Sequence, residues 1–522
     1  MEYKQYEIKP AQKENNNDIF LKVENLQTRF FTSKGIVKAL DSLSLSVKRG
    51  EIFGLVGESG CGKSVTATSI MDLIPDPPGR ITAGHIYVNG FDILGDLDEL
   101  AKIKVKSETD VRIKRYKKKI KRHNFIINSI RGQEIAMIFQ EPFLALNPLL
   151  TISEQITETI LLHDTVRIGE AIIKRESVSE KDVDDFISEI LSLSDKQVRD
   201  KRINQWCSEF GISDSETDII QIFDSDSNLG QIRNNILQIF RVQIRSIDLE
   251  PIRQVVEYEK IKEELLDLTL QFLQTKYDGK SDEELESRLH EKERQFNSLG
   301  RSLSIKRKIS KAKYRKPFEL EARKRALELL RLVNIAGPER VLDSYPHELS
   351  GGMQQRAMIA MALSSNPSLL IADEPTTALD VTTQAQILKL IRELKEFLGS
   401  SVIFITHDLA VIAEMCDRLG VMYAGNLIEE STTNTIFENP KHPYTIGLLK
   451  SIPRVDQKIG KDFLLESIPG NVPNLIKPPP GCRFNPRCSF KMDICEKKKP
   501  KLVEIEKGHK VACFLYSEET ED

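Results

Sequence analysis

The sequence predicts an α/β chain organised on a mainly parallel sheet, and three observations predict it. Residues 319–450 alternate strand-like and helix-like runs: "SLLIADE", "QAQILKLIRELKEFL", "SVIFITHD", "LGVMYAGNLIEE". Such alternation builds a parallel sheet. Far upstream, "EIFGLV" reads as a buried strand that runs straight into the glycine-rich turn "GESGCGKS", Gly57–Ser64, with a helix to follow. Finally "LLIADE", Leu369–Glu374, is an apolar run that ends on two acids.

Taken in order, "IFLKVENL", "SLSLSV" and "GHIYVNG" within residues 20–98 are short β-rich runs broken by turn signals. From Leu97 to Arg131 the chain turns lysine-rich ("IKRYKKKIKRHNF"), and "IAMIFQ" then reads as another buried strand. Residues from about 165 to 318 are polar with apolar positions at helical spacing, as in "VDDFISEILSLS" and "YEKIKEELLDLTLQFLQ". No heptad array is sustained there, so a long coiled coil is disfavoured. Trp206 and Cys207, the lone tryptophan and an isolated thiol, read as packing residues. The last seventy residues or so, rich in Pro and Cys, are expected to be loops.

A chain of 522 residues holds roughly two to four domains. Its net charge of −3 argues neither for a nucleic-acid binder nor for an acidic tail. "MEYKQYEIKPAQKENNNDIF" has no apolar core of a signal peptide, and no run approaches eighteen apolar residues. A cytoplasmic protein is expected. Of seven cysteines, Cys61, Cys207 and Cys416 are scattered and four cluster between Cys482 and Cys513, which reads better as metal ligation than as disulfides.

"GESGCGKS" fits G-x-x-x-x-G-K-[ST], the phosphate loop. Gly57, Glu58, Ser59, Gly60, Cys61 and Gly62 turn backbone N–H groups toward phosphate oxygens, Lys63 reaches the β- and γ-phosphates, and Ser64 ligates Mg²⁺. A buried strand that ends on carboxylates supplies the metal's other partner: Asp373 holds it and Glu374 polarises the attacking water. "LSGGMQQR", Leu349–Arg356, is a hydroxyl and two glycines ahead of a helix, a second anion cradle that lacks a lysine.

In this order, Gly57–Ser64, Gln140, "LSGGMQQR", "LLIADE", "ALD" (Ala378–Asp380) and His407 resemble an ATP-binding cassette (ABC) ATPase. The resemblance implies a P-loop NTPase fold of the ABC type with an antiparallel β subdomain, and a helical subdomain enlarged by the mostly helical insertion. It implies a 1–19 tail, an ATPase domain in two parts (20–164, with a basic insertion at about 99–131, and 319–438), the 165–318 insertion and a 439–522 extension. It further implies that Phe30 (or Phe31 beside it) stacks on adenine, that Gln140 contacts Mg²⁺ and the attacking water, and that His407 contacts the γ-phosphate. Ser350, Gly351 and Gly352, with Asp380, would close over ATP held by a partner ATPase subunit, which explains the missing lysine. The segment "QEPFLALNPLLTISEQI" after Gln140 would form the groove for a membrane subunit.

The tail places Cys482, Cys488, Cys495 and Cys513 at C-x5-C-x6-C-x17-C. These gaps are wider than the close pairs of structural zinc and suit a [4Fe–4S] cluster held by four thiolates; zinc and unligated thiols stay open as alternatives. "NPKHPYTIGLLKSIPR", "IPGNVPNL" and "GCRFNPRC" resemble the C-terminal extension of oligopeptide/dipeptide importer ATPases, some of which hold an iron–sulfur cluster. This implies ATP-driven peptide import at the cytoplasmic membrane face, with a second ATPase subunit in a heterodimer, two permease subunits and an external peptide-binding protein. A nickel or other small-solute importer of the same family is the first alternative. A soluble ABC ATPase of DNA repair or translation is the second, and it lacks support: the chain has one cassette and no long heptad arrays. The basic run reads as a solvated face, with contact to anionic headgroups as the sharper option.

Overall fold

Apolar residues at alternate positions make the first strands one-sided. In the computed structural model, which describes residues 18–105, 111–176, 180–209, 216–225, 228–243, 248–277, 282–309, 311–377, 379–451 and 468–516, β1 (Ile19–Thr32) and β2 (Gly35–Lys48) form an antiparallel pair. β3 (Ile52–Val56) leaves this sheet, while β4 (Gly79–Val88) and β5 (Phe91–Asp92) return to it, giving the order β2-β1-β4-β5. Leu21, Val23 and Leu26 on β1 and Leu40 and Leu43 on β2 are buried in the core. This sheet lies on the phosphate-loop helix, Lys63–Ile70: the buried hydroxyls of Thr28 and Ser69 are 2.8 Å apart. The expected N-terminal tail falls almost wholly outside the described residues.

The lysine-rich stretch is more ordered than a loop. β6 (Ala101–Val105) and β7 (Val111–Arg115) make a two-stranded antiparallel ribbon, followed by the helix Lys117–Ile130. Its described lysines and arginines from Arg112 to Arg122 are exposed, whereas His123, Ile126 and Ile127 are buried.

The second sheet has the order β13-β14-β12-β11-β3-β10-β9-β8. β8 (Ile135–Ile138), β9 (Leu369–Asp373) and β10 (Ser401–Ile405) run parallel with β3 and β11 (Arg418–Tyr423). Every residue of β3, β8, β9 and β10 is buried. Strands covered on both faces need continuous apolar runs rather than alternation. "LGVMYAGNLIEE" is two strands, β11 and β12 (Asn426–Thr432), joined at Ala424 and Gly425 with φ of 47° and 81°. A Cβ on Gly425 would lie 2.4 Å from the Ala39 carbonyl oxygen, so glycine is required there. The tail is not loop alone: β13 (Val503–Glu506) and β14 (His509–Val511) extend the sheet through β12.

The chain divides into two compact units, one holding these sheets and the other holding Leu150–Leu332 with Ala336–Ser344. The second is helical. Val183, Phe186, Ile203, Trp206, Cys207 and Phe223 share a core of their own, with Trp206 stacked on Phe186 at a centroid distance of 3.7 Å. Trp206 and Cys207 are thus buried packing residues. The helices Leu249–Tyr277 and Glu283–Ile309 pair antiparallel: Lys306 bonds Gln254, Tyr258 stacks on Phe296, and Lys292 pairs with Glu264.

Candidate nucleotide site

Parallel strands present their carboxyl ends at one edge, where open α/β sheets bind ligands. β3 runs into Gly57, β10 is followed by His407, β9 ends at Asp373 with Glu374 next, and Gln140 follows β8. These strands are neighbours in that order, so residues scattered over 350 positions of sequence meet at one edge.

The loop from Gly57 to Gly62 is shaped by two glycines. Gly57 has φ of 154°, and a Cβ there would lie 2.2 Å from the Met422 carbonyl oxygen on β11. Gly62, φ 106°, starts the helix without a side-chain cap, which leaves its first N–H groups available to an anion. Lys63 is buried, and its ammonium donates to the carbonyls of Gly57 at 2.8 Å and Glu58 at 3.3 Å. Ser59, Gly60 and Ser64 are exposed, and the buried Cys61 packs under the loop, where burial pushes its thiol pKa up.

Ser64 donates to Asp373 Oδ1 at 3.1 Å. Burial raises the Asp373 carboxyl above the usual range and the neighbouring Glu374 charge adds to this, against the Ser64 hydrogen bond. A hydroxyl paired with a buried carboxylate whose charged form is penalised is well matched to a divalent cation.

Glu374 ties the edge together. Its Oε2 accepts from Gln140 Nε2 at 2.8 Å and from Thr377 Oγ1 at 3.1 Å, and its Oε1 lies 3.2 Å from His407 Nδ1. Its backbone is left-handed, φ 46°, and its N–H donates to the Ile405 carbonyl at 2.8 Å. A glutamate held in this sparsely populated region is oriented by its surroundings rather than by preference. Sequence reasoning did not single out Thr377; its spacing of three from Glu374 was the available signal.

The remaining candidates lie elsewhere. Ser350 caps the helix Gly351–Leu363 by accepting from the Met353 N–H at 3.4 Å, and Ser350 and Gly351 are exposed. Gly352 packs beside Thr383, whose N–H and hydroxyl bond the Asp380 carboxylate at 2.9 and 2.7 Å. Asp380 is therefore the N-cap of the helix Val381–Leu398 and neighbours Gly352; Ala378 lies outside the described residues. Phe30, half-buried on β1, covers Gly79 of β4, and Phe31 follows with its N–H on the Pro78 carbonyl.

Cys482, Cys488, Cys495 and Cys513 line one small cavity together with His442, Phe484 and Met492. Burial raises the Cys482 and Cys513 thiols to about 11 each, and the neighbouring cysteines add to this. Among the described residues no group of three or more His, Cys, Asp or Glu is arranged to hold a metal ion.

Comparison with known proteins adds the family. The ABC transporter family model matches residues 40–249 and 258–377. The chain belongs to the ABC transporter family. A second model, the oligopeptide/dipeptide transporter C-terminal region, matches residues 428–495. A relative from Sinorhizobium fredii, named a probable peptide ABC transporter ATP-binding protein, is 33% identical over 96% of both chains. The oligopeptide transport ATP-binding protein AppD of Bacillus subtilis is 33% identical over 96% of this chain and 97% of its own. The dipeptide transport ATP-binding protein DppD of the same organism is 31% identical over 96% of each. This chain thus sits among the ATP-binding proteins of the oligopeptide/dipeptide branch of ABC transporters.

Proposed function

We propose that this chain is the ATP-binding and hydrolysing subunit of an ABC importer of oligopeptides or dipeptides. One observation carries the catalytic part: Lys63, the Ser64–Asp373 pair, and Glu374 held by Gln140 and His407 stand at the carboxyl ends of adjacent strands. Gly57–Lys63 would cradle the triphosphate and Phe30 would stack on adenine. Ser64, Asp373 and Gln140 would hold Mg²⁺, which supplies charge neutralisation of the β- and γ-phosphates. Glu374, aimed by Gln140 and Thr377, would take the proton of the attacking water, and His407 would hold the γ-phosphate.

The exposed helix tip at Ser350–Gly352, with Asp380 beside it, would close over the nucleotide of a partner ATPase subunit, which we take to be a different chain. ATP contacts made only in the closed pair then drive a two-state cycle. Two permease subunits and an external peptide-binding protein complete the machine. Exposed Phe143, Leu144 and Leu149 after Gln140 support a permease-facing surface. Among the described residues no helix is long and apolar enough to cross a membrane, so attachment to the cytoplasmic face would run through the permeases. The C-terminal family match favours peptide over nickel or another solute.

The [4Fe–4S] cluster, with zinc as the alternative, rests on the resemblance of the tail and on four thiols that line one cavity; in their present arrangement these thiols do not form a metal-holding group. Iron and sulfide analysis after anaerobic purification decides this; their absence from a folded, nucleotide-binding chain counts against the cluster.

ATP-dependent uptake of a labelled peptide into vesicles that hold the permeases tests the whole reading. Uptake should require this chain and disappear with Glu374→Gln. Recovery of the chain as a soluble homodimer with no membrane partner would contradict it.

A further inference from the structure

The C-terminal extension reaches the phosphate loop at Glu58. Its carboxylate accepts both Nη atoms of Arg487, at 2.9 and 3.1 Å, and its N–H donates to the Tyr444 hydroxyl at 3.0 Å. Its carbonyl accepts from the Lys63 ammonium at 3.3 Å. All three polar groups of Glu58 are thus committed, two to the extension and one to the lysine of the phosphate loop.

Both partners from the extension are rigidly held. Tyr444 is fully buried. The Arg487 side chain is 6% exposed, donates to the Pro469 carbonyl at 2.9 Å and lies over the Tyr423 ring. Arg487 also closes the short turn Asn485–Arg487 between Cys482 and Cys488. Asn485 bonds the carbonyls of Cys482 at 2.8 Å and Cys495 at 3.2 Å, and the Cys482 N–H donates to the Cys495 carbonyl. A Cβ on Gly481 would sit 2.2 Å from that Cys495 oxygen, so the two cysteine loops are in close contact.

We infer that Arg487 is a positioning residue for the nucleotide site: the cysteine loop of the extension sets the phosphate loop through the Arg487–Glu58 pair, so this pair governs ATP affinity. A bidentate guanidinium–carboxylate bond fixes direction as well as distance. Loss of this pair frees Glu58, and with it the carbonyl on which Lys63 rests. The inference stands on the nucleotide reading above and adds to it a control from the extension.

The test is MgATP affinity of the full chain by titration calorimetry, for wild type, Arg487→Ala, Glu58→Gln and the double variant. Each single substitution should weaken binding about tenfold, a charge-assisted hydrogen bond lost, and the double should be no weaker than either single. In the assembled complex Arg487→Ala should raise KM for ATP more than it lowers kcat, and Arg487→Lys should restore only part of the affinity. Glu58→Gln keeps side-chain size and leaves the extension intact, so it carries the test if Arg487→Ala does not fold. Wild type that fails to bind MgATP sinks the nucleotide reading itself. Wild type that binds while Arg487→Ala and Glu58→Gln bind equally well, or an additive double, overturns this inference alone.

Discussion

His123 makes the stability of the nucleotide-binding unit depend on pH above neutrality. It sits in the lysine-rich helix with its side chain 5% exposed, Nε2 at 3.1 Å from Asp72 and Nδ1 at 2.9 Å from Asp96. Asp72 follows the phosphate-loop helix by two residues, so the imidazolium pins that helix to the basic segment. Burial by itself would lower the imidazole pKa; the hydrogen bonds to Asp72 and Asp96, aided by their charges, outweigh it and hold it at about 9. The unfolded value is about 6.5. The folded value is the higher one, so the stabilisation is full below about 6.5 and is lost as pH rises through about 9. The gap of about 2.5 units corresponds to roughly 3 kcal/mol. Urea unfolding of this unit, followed at pH 6, 7.5 and 9.5, should show that loss in wild type. His123→Gln, which keeps a polar group but no titration, should start less stable and show a much flatter profile between pH 6.5 and 9. Equal pH slopes for the two proteins would refute the reasoning.

Two other substitutions separate the chemistry from the scaffold. Glu374→Gln should keep MgATP binding within a few-fold, lower turnover on the order of 10² to 10⁴, and accumulate the closed ATP-bound pair on gel filtration; undiminished turnover would remove Glu374 from the mechanism. Trp206→Ala should destabilise the helical unit by about 3–5 kcal/mol, the cost of an emptied aromatic site, measured by thermal melting, and leave MgATP affinity of the phosphate loop unchanged; a parallel loss of ATP binding would contradict the separate core of that unit.

The central strands were legible because double-sided burial demands uninterrupted apolar runs, and β3, β9 and β10 supply them. The phosphate loop and the acid pair were legible for a different reason: their chemistry is local in sequence. What joins distant segments was not. Arg487 and Glu58 are 429 positions apart; Glu58 reads as backbone of the phosphate loop, and nothing local ties its carboxylate to Arg487. β13 and β14 are short and polar, and they become strands only because β12 offers an edge at Glu429 and Glu430. In the basic stretch, exposed lysines masked a buried stripe at His123, Ile126 and Ile127, so a helix that packs looked like a solvated run. The helical region showed its period but not its partners: the pairing of Leu249–Tyr277 with Glu283–Ile309 rests on contacts such as Tyr258 with Phe296 rather than on a heptad array.

The nucleotide shared between two chains is tested most directly at Gly351. An added Cβ there meets nothing closer than Leu379 at 3.8 Å, so Gly351→Glu leaves the fold of this chain intact. It does place a carboxylate at the helix tip assigned to the partner's γ-phosphate. ATP turnover by the reconstituted complex of ATPase and permease subunits should fall by about a hundredfold or more, the cost of like charges brought together, while this chain's own MgATP binding holds. Turnover at the wild-type rate would contradict the sandwich.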